Sequence, residues 1–99
     1  MSQEHKKALR DATKALIKSM ASVPASEKDS VQDAIDKIQD ELDNLVVDDL
    51  LKCTQAVRRA ADEMDDVLDT INTHASGQIK AGVQDALTKL KSLDDASVA

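Results

Sequence analysis

The stretch DEMDDVLD sets Asp62, Glu63, Asp65, Asp66 and Asp69 within little more than two helical turns. Carboxylates at that density can coordinate a cation, exchange protons with a substrate, or present negative charge to a basic partner. A calcium loop needs ligands at alternate positions and a glycine that permits a sharp turn, and this stretch has no glycine. A di-metal bundle needs Glu-x-x-His pairs aimed inward, and that spacing occurs nowhere in the chain. Acid catalysis requires a carboxyl desolvated enough to raise its pKa, which a ridge pointing at water does not supply. If Ala61, Met64 and Leu68 face the core, Asp62, Asp66 and Asp69 project outward with Asp65 at their flank. DEMDDVLD therefore reads as a solvated ridge, and at most as one that docks a partner.

The other reactive side chains have plain structural accounts. Cys53 has no histidine near it in sequence to lower its pKa, so it reads as a half-buried filler. His5 and His74 lie in separate segments without a nominable third ligand, so solvent-exposed imidazoles are expected. Arg58 and Arg59 stand one turn before Asp62 and Glu63, a spacing that predicts ion pairs within one helix. Thr54 can return its hydroxyl to the carbonyl four residues back. There is no glycine-rich phosphate loop, paired-cysteine zinc pattern or catalytic-triad signature. The expectation is a protein that is not an enzyme and uses no cofactor and no metal.

Composition bounds what can position these groups. Ninety-nine residues suit one domain with one core, and the absence of Phe, Tyr and Trp leaves that core to Leu, Ile, Val, Met and Ala. Two glycines and one proline punctuate the chain, and alternating strand patterns are missing, which together predict an all-α fold. A net charge of -6 opposes nucleic acid and anionic membranes as partners. Apart from Leu45-Val46-Val47, runs of large aliphatics stop at two residues, far short of the roughly 20 that span a membrane. The single cysteine and the polar start MSQEHKKALR, with no secretory signal, give a cytoplasmic expectation.

Four amphipathic segments follow from the spacing. Leu9, Ala12, Leu16, Ile17 and Met20 form one stripe in a helix over 2–21, which Pro24 ends. Ser26 with Asp29 resembles a capping box opening a helix over 26–45, whose seam is Val31, Ile35, Ile38, Leu42 and Leu45. A seam in a different phase, Val47, Leu50, Thr54, Val57, Ala61, Met64, Leu68 and Ile71, marks a third helix over 48–73. Asn44 in a left-handed conformation and Asp48 as a cap would make the turn between them. The rival is a single helix over 26–73, about 70 Å long, which would need a second chain to bury its seam as a hairpin dimer. After a break at 73–77, Ile79, Val83, Ala86, Leu87, Leu90 and Leu93 give a helix over 77–93, followed by a frayed tail at 94–99. Gly82 inside that helix predicts close packing against a neighbour. The fold expected is an antiparallel up-down-up-down four-helix bundle.

Charge is distributed unevenly over these segments. Residues 1–24 carry +3, 25–45 carry -5, 46–75 carry -4 and 76–93 carry +2. Helices 2 and 3 would thus make an acidic side and helices 1 and 4 a basic one, with attraction expected at the 1–2 and 3–4 contacts. The functional expectation is a protein–protein interaction module, an adaptor, chaperone-like protein or antagonist. It would dock a basic protein, or its own copy, through Asp36, Asp40, Asp62, Asp66 and Asp69. An amphipathic bundle that opens on lipid or an apolar ligand is the alternative.

Overall fold

A computed structural model describes residues 2–98, and the side chains of residues 3–95. It is an all-α four-helix bundle with no strand among the described residues. Helix α1 spans Ser2–Ser19 and tightens into a 3-10 turn over Met20–Ser22; α2 spans Ala25–Asp43, α3 Leu50–His74 and α4 Gly77–Val98. The cross-helix pairs Lys37–Glu63 and Glu41–Arg59 descend in opposite senses along α2 and α3, as do Arg58–Asp94 and Asp65–Lys91 along α3 and α4. Those neighbours are therefore antiparallel. Each helix packs on the next, α4 returns to α1, and α1 also touches α3 across the middle of the bundle.

The apolar stripes converge on one core. Leu9 and Leu16 of α1, Val31 and Ile38 of α2, Val57, Met64 and Ile71 of α3, and Val83 and Leu90 of α4 are all fully buried. Burying each large aliphatic side chain stabilises the fold by about 1.5–3 kcal/mol before chain entropy is charged. Small residues at Ala8, Ala12, Ala34, Ala56 and Ala60 are buried beside them, which suits close helix approach in a core without aromatic rings. Buried hydroxyls are satisfied within their own helices: Thr13 donates to the Leu9 carbonyl at 3.0 Å, Ser19 to Leu16 at 2.6 Å and Thr54 to Leu50 at 2.9 Å.

The helix ends correct several sequence expectations. The break between the second and third helices is real, and it is longer than a tight turn. A 25-residue α3 measures about 37 Å at 1.5 Å per residue, which matches the 39 Å long axis and leaves no room for a continuous 26–73 helix. Asp49, rather than Asp48, caps α3 by accepting from the Lys52 amide at 3.1 Å. Asn44 ends α2 at φ -101°, outside the left-handed region, while its side-chain amide donates to the Asp40 carbonyl at 2.9 Å. Pro24, rather than Ser26, occupies the cap position of α2, and no side chain caps that end. Helix α4 continues through Val98 where a frayed tail was expected over 94–99; Ala99 lies outside the described residues. Gly82 is exposed, and a Cβ built there would meet nothing within 4 Å, so close packing is not its reason.

Candidate functional site

The acidic candidates stand on two neighbouring helices. Asp36 and Asp40 lie on the outer side of α2, whose core side is Val31, Ala34, Ile35 and Ile38. Asp62, Asp66 and Asp69 run along the outer ridge of α3, opposite Ala60, Ala61, Met64, Val67 and Ile71. All five are exposed. Between the two ridges runs a row of ion pairs: Lys37 reaches Glu63 at 3.6 Å, and Arg59 reaches Glu41 at 2.6 Å. Asp40 lines the shallow groove formed there with Lys37, Glu41, Arg59 and Glu63, while the other four aspartates stay outside it. The structure therefore gives two parallel acidic ridges rather than one convergent pocket.

Charge pairing separates the groups that hold the bundle from those that face outward. Arg58 spans to α4, with Asp94 at 2.9 Å, and Arg59 spans to α2, so neither makes the intrahelical pair that spacing predicted. A long arginine beside a helix seam reaches a carboxylate on the neighbour as readily as one a turn away. Hydrogen bonding to Asp94 raises the Arg58 pKa further above its ordinary value; Glu41 does the same for Arg59, against some desolvation. Lys37 is raised chiefly by its hydrogen bond and attraction to Asp33, with Glu63 adding to both. Lys91 reaches Asp65 at 3.3 Å, and the His74 imidazole lies 2.9 Å from Glu27. Asp36 accepts only from the neighbouring Gln32 amide, at 2.9 Å. Among the described residues, Asp40, Asp62, Asp66 and Asp69 enter no ion pair.

The basic helix behaves differently from the expected 1–2 attraction. Among the described residues, Lys6, Lys7, Arg10, Lys14 and Lys18 of α1 enter no ion pair, and the pairs join α2 to α3 and α3 to α4 instead. Ile17, expected in the core stripe, is 54 % exposed, because the 3.6-residue period carries it past the edge of the buried face of Leu9, Ala12 and Leu16. His5 is buried rather than solvated, lying on the same face as Ala8, Leu9 and Ala12; His74 is exposed as read, but engaged with Glu27.

Two further features went unread in the sequence. Val46, Val47, Leu50 and Leu51 are exposed together at the α2–α3 connection, although the heptad phase had assigned Val47 and Leu50 to the core. The density of aliphatics in LVVDDLL, more than a turn needs, was the available signal. The second is an open cleft of about 330 Å³ between α1 and α4, lined by Lys14, Ala15, Lys18, Ile79 and Gly82. Among the described residues no group of three or more His, Cys, Asp or Glu is placed to hold a metal ion, and no helix is long and apolar enough to cross a membrane.

The family model described as "F plasmid transfer operon, TraF, protein" matches residues 3–97, which takes in all four helices. The chain belongs to that family. No curated protein and no solved structure matches it. For this member of the TraF plasmid-transfer family, the acidic ridges, the basic outer face of α1 and the apolar connection are thus features of a small protein tied to plasmid transfer.

Proposed function

We propose that this TraF-family chain is a non-enzymatic interaction module of plasmid transfer, which docks a basic protein partner on the acidic outer surface of α2 and α3. The observation that carries the reading is the division of labour among carboxylates. Glu41, Glu63, Asp65 and Asp94 are tied to cations on neighbouring helices, whereas Asp40, Asp62, Asp66 and Asp69 face solvent outside any such pair. Charges of one sign left on a rigid helical ridge steer an oppositely charged surface and fix its register, while contributing little to the fold itself. The family's tie to plasmid transfer supports a role in assembling or regulating that machinery. A cytoplasmic setting fits the single unbridged thiol at Cys53.

The test uses the full chain as bait for transfer proteins in a donor lysate, with Asp62→Asn, Asp66→Asn and Asp69→Asn combined in a matched variant. The expected result is capture of a basic partner by the wild type at low salt, weakened at high salt and lost in the variant, with plasmid transfer reduced when the variant replaces the wild type. The variant should melt like the wild type, because exposed substitutions away from caps and core stay within about 0.5 kcal/mol. Capture and transfer unaffected by the three substitutions would remove the acidic surface from the mechanism.

A further inference from the structure

The two features that the acidic-surface reading leaves unused are complementary to each other. At one end of the bundle, the α2–α3 connection exposes Val46, Val47, Leu50 and Leu51 at 42, 38, 47 and 67 %. Asp43, Asp48 and Asp49 flank these residues along the chain, with Lys52 the one cation between positions 43 and 52; Arg59, which shares a groove with Val46, is neutralised by Glu41. Toward the opposite end, where α1 finishes and α4 starts, the cleft between those helices has an apolar lining of Ala15 and Ile79 and a vacancy above Gly82, where an added Cβ would meet nothing within 4 Å. Lys14 and Lys18 border it with Asp11, and Arg10, Lys7 and Lys6 extend the basic strip along α1. An acid-rimmed apolar knob and a base-rimmed apolar cleft thus sit on one molecule, in places where they cannot meet within one copy.

We propose that copies of this chain associate head to tail, with the Val46–Leu51 knob of one copy seated in the Gly82 cleft of the next. The occupant is a second copy because both halves of the match, in charge and in polarity, are present on the same chain. The contact is heterologous: it leaves a knob free at one end and a cleft free at the other, so it propagates until a ring closes or a filament forms. Four apolar side chains make a small interface, and association is accordingly weak and concentration-dependent. Opposed charges at its rim make it salt-sensitive. Neither half uses Asp62, Asp66 or Asp69, so this assembly and the docking of a basic partner stand or fall separately.

Sedimentation equilibrium on the full chain tests it. The wild type should rise above its 10.7 kDa monomer mass as concentration increases, and return toward it in high salt. Gly82→Met, which fills the cleft from an exposed helical position, and Leu51→Glu, which charges the knob, should each remain monomeric while keeping wild-type circular dichroism. Lys14→Glu combined with Lys18→Glu should repeat the cleft result by charge reversal. An equimolar mixture of the Gly82→Met and Leu51→Glu chains retains one good knob and one good cleft, and should form a complex of two chains that grows no further. The proposal is overturned by a wild type that stays monomeric at every concentration, by single variants that assemble like the wild type, or by a mixture that stays at monomer mass. A monomeric wild type whose cleft binds an acidic amphipathic peptide of Glu and Leu would assign the cleft to another protein, and overturn self-assembly equally.

Discussion

Cys53 is fully buried in the first turn of α3, and its thiol donates to the Val46 carbonyl at 3.3 Å, which ties the exposed connection to the helix that follows it. Desolvation, reinforced by the negative charges of Asp49 and Asp48, pushes its pKa above the ordinary thiol value. The folded chain therefore favours the neutral thiol more than the unfolded chain does. That stabilisation is complete below the unfolded thiol pKa, about 8.5, and is lost as the pH rises through the higher folded value. Cys53→Ser keeps a donor for Val46 but does not titrate in this range. Melting temperatures followed from pH 7 to pH 10 should fall more steeply for the wild type than for this variant, and parallel curves would contradict the assignment. Nothing at the site activates a thiolate, so the same residue should react slowly with thiol reagents while the chain is folded.

At the scale of the elements, the connection from α2 to α3 is the place where one side chain decides geometry. Asp49 accepts the Lys52 amide and starts α3 at Leu50, three residues later than Val47, the first position of its apolar phase. That shift leaves Val47 and Leu50 at the end of the bundle, beyond the reach of neighbouring helices, and so exposed. Removing the cap with Asp49→Ala should cost about 1 kcal/mol in urea unfolding. Ser26→Ala, at a position where a cap was expected and none is made, should change stability by less than about 0.5 kcal/mol. Equal effects at the two positions would mean that the capping pattern has been misread. Asp94, which follows the last buried leucine of α4, pairs with Arg58 on α3, and the helix runs on to Val98.

For the molecule as a whole, α1 and α3 each meet all three other helices, and α1 does so with an apolar face while Lys6, Lys7, Arg10, Lys14 and Lys18 remain outside the ion pairs that join α2, α3 and α4. Stability should accordingly depend on the buried face of α1 and hardly at all on its exposed charges. Leu16→Ala, in the fully buried stripe, should cost about 2–5 kcal/mol by denaturant unfolding, a large part of what a domain of this size possesses. Leu51→Ala, at 67 % exposure, should stay within about 0.5 kcal/mol. A comparable loss at both positions would show that the apolar connection is structural rather than available for contact. The radius of gyration of 12.9 Å agrees with the value of about 13 Å expected for a folded chain of 100 residues, which small-angle scattering of a dilute sample can check.

The all-helical character, the break near Val46 and the exposure of Asp36, Asp40, Asp62, Asp66 and Asp69 were legible in the chain because side-chain direction along a helix follows from its 3.6-residue period. Ile17, Val47 and Leu50 escaped that rule, since a periodic stripe does not say where its edge lies or where the neighbouring helix stops. Ion-pair partners escaped it too. Arg58, Arg59 and Lys37 each had carboxylates within their own helices, and only the packed bundle decided which of them, or which carboxylate on the adjacent helix, came within reach. The vacancy at Gly82 is likewise a property of two helices side by side. Local spacing fixes which way a residue points, but the distance to whatever it points at exists only once the four helices have met.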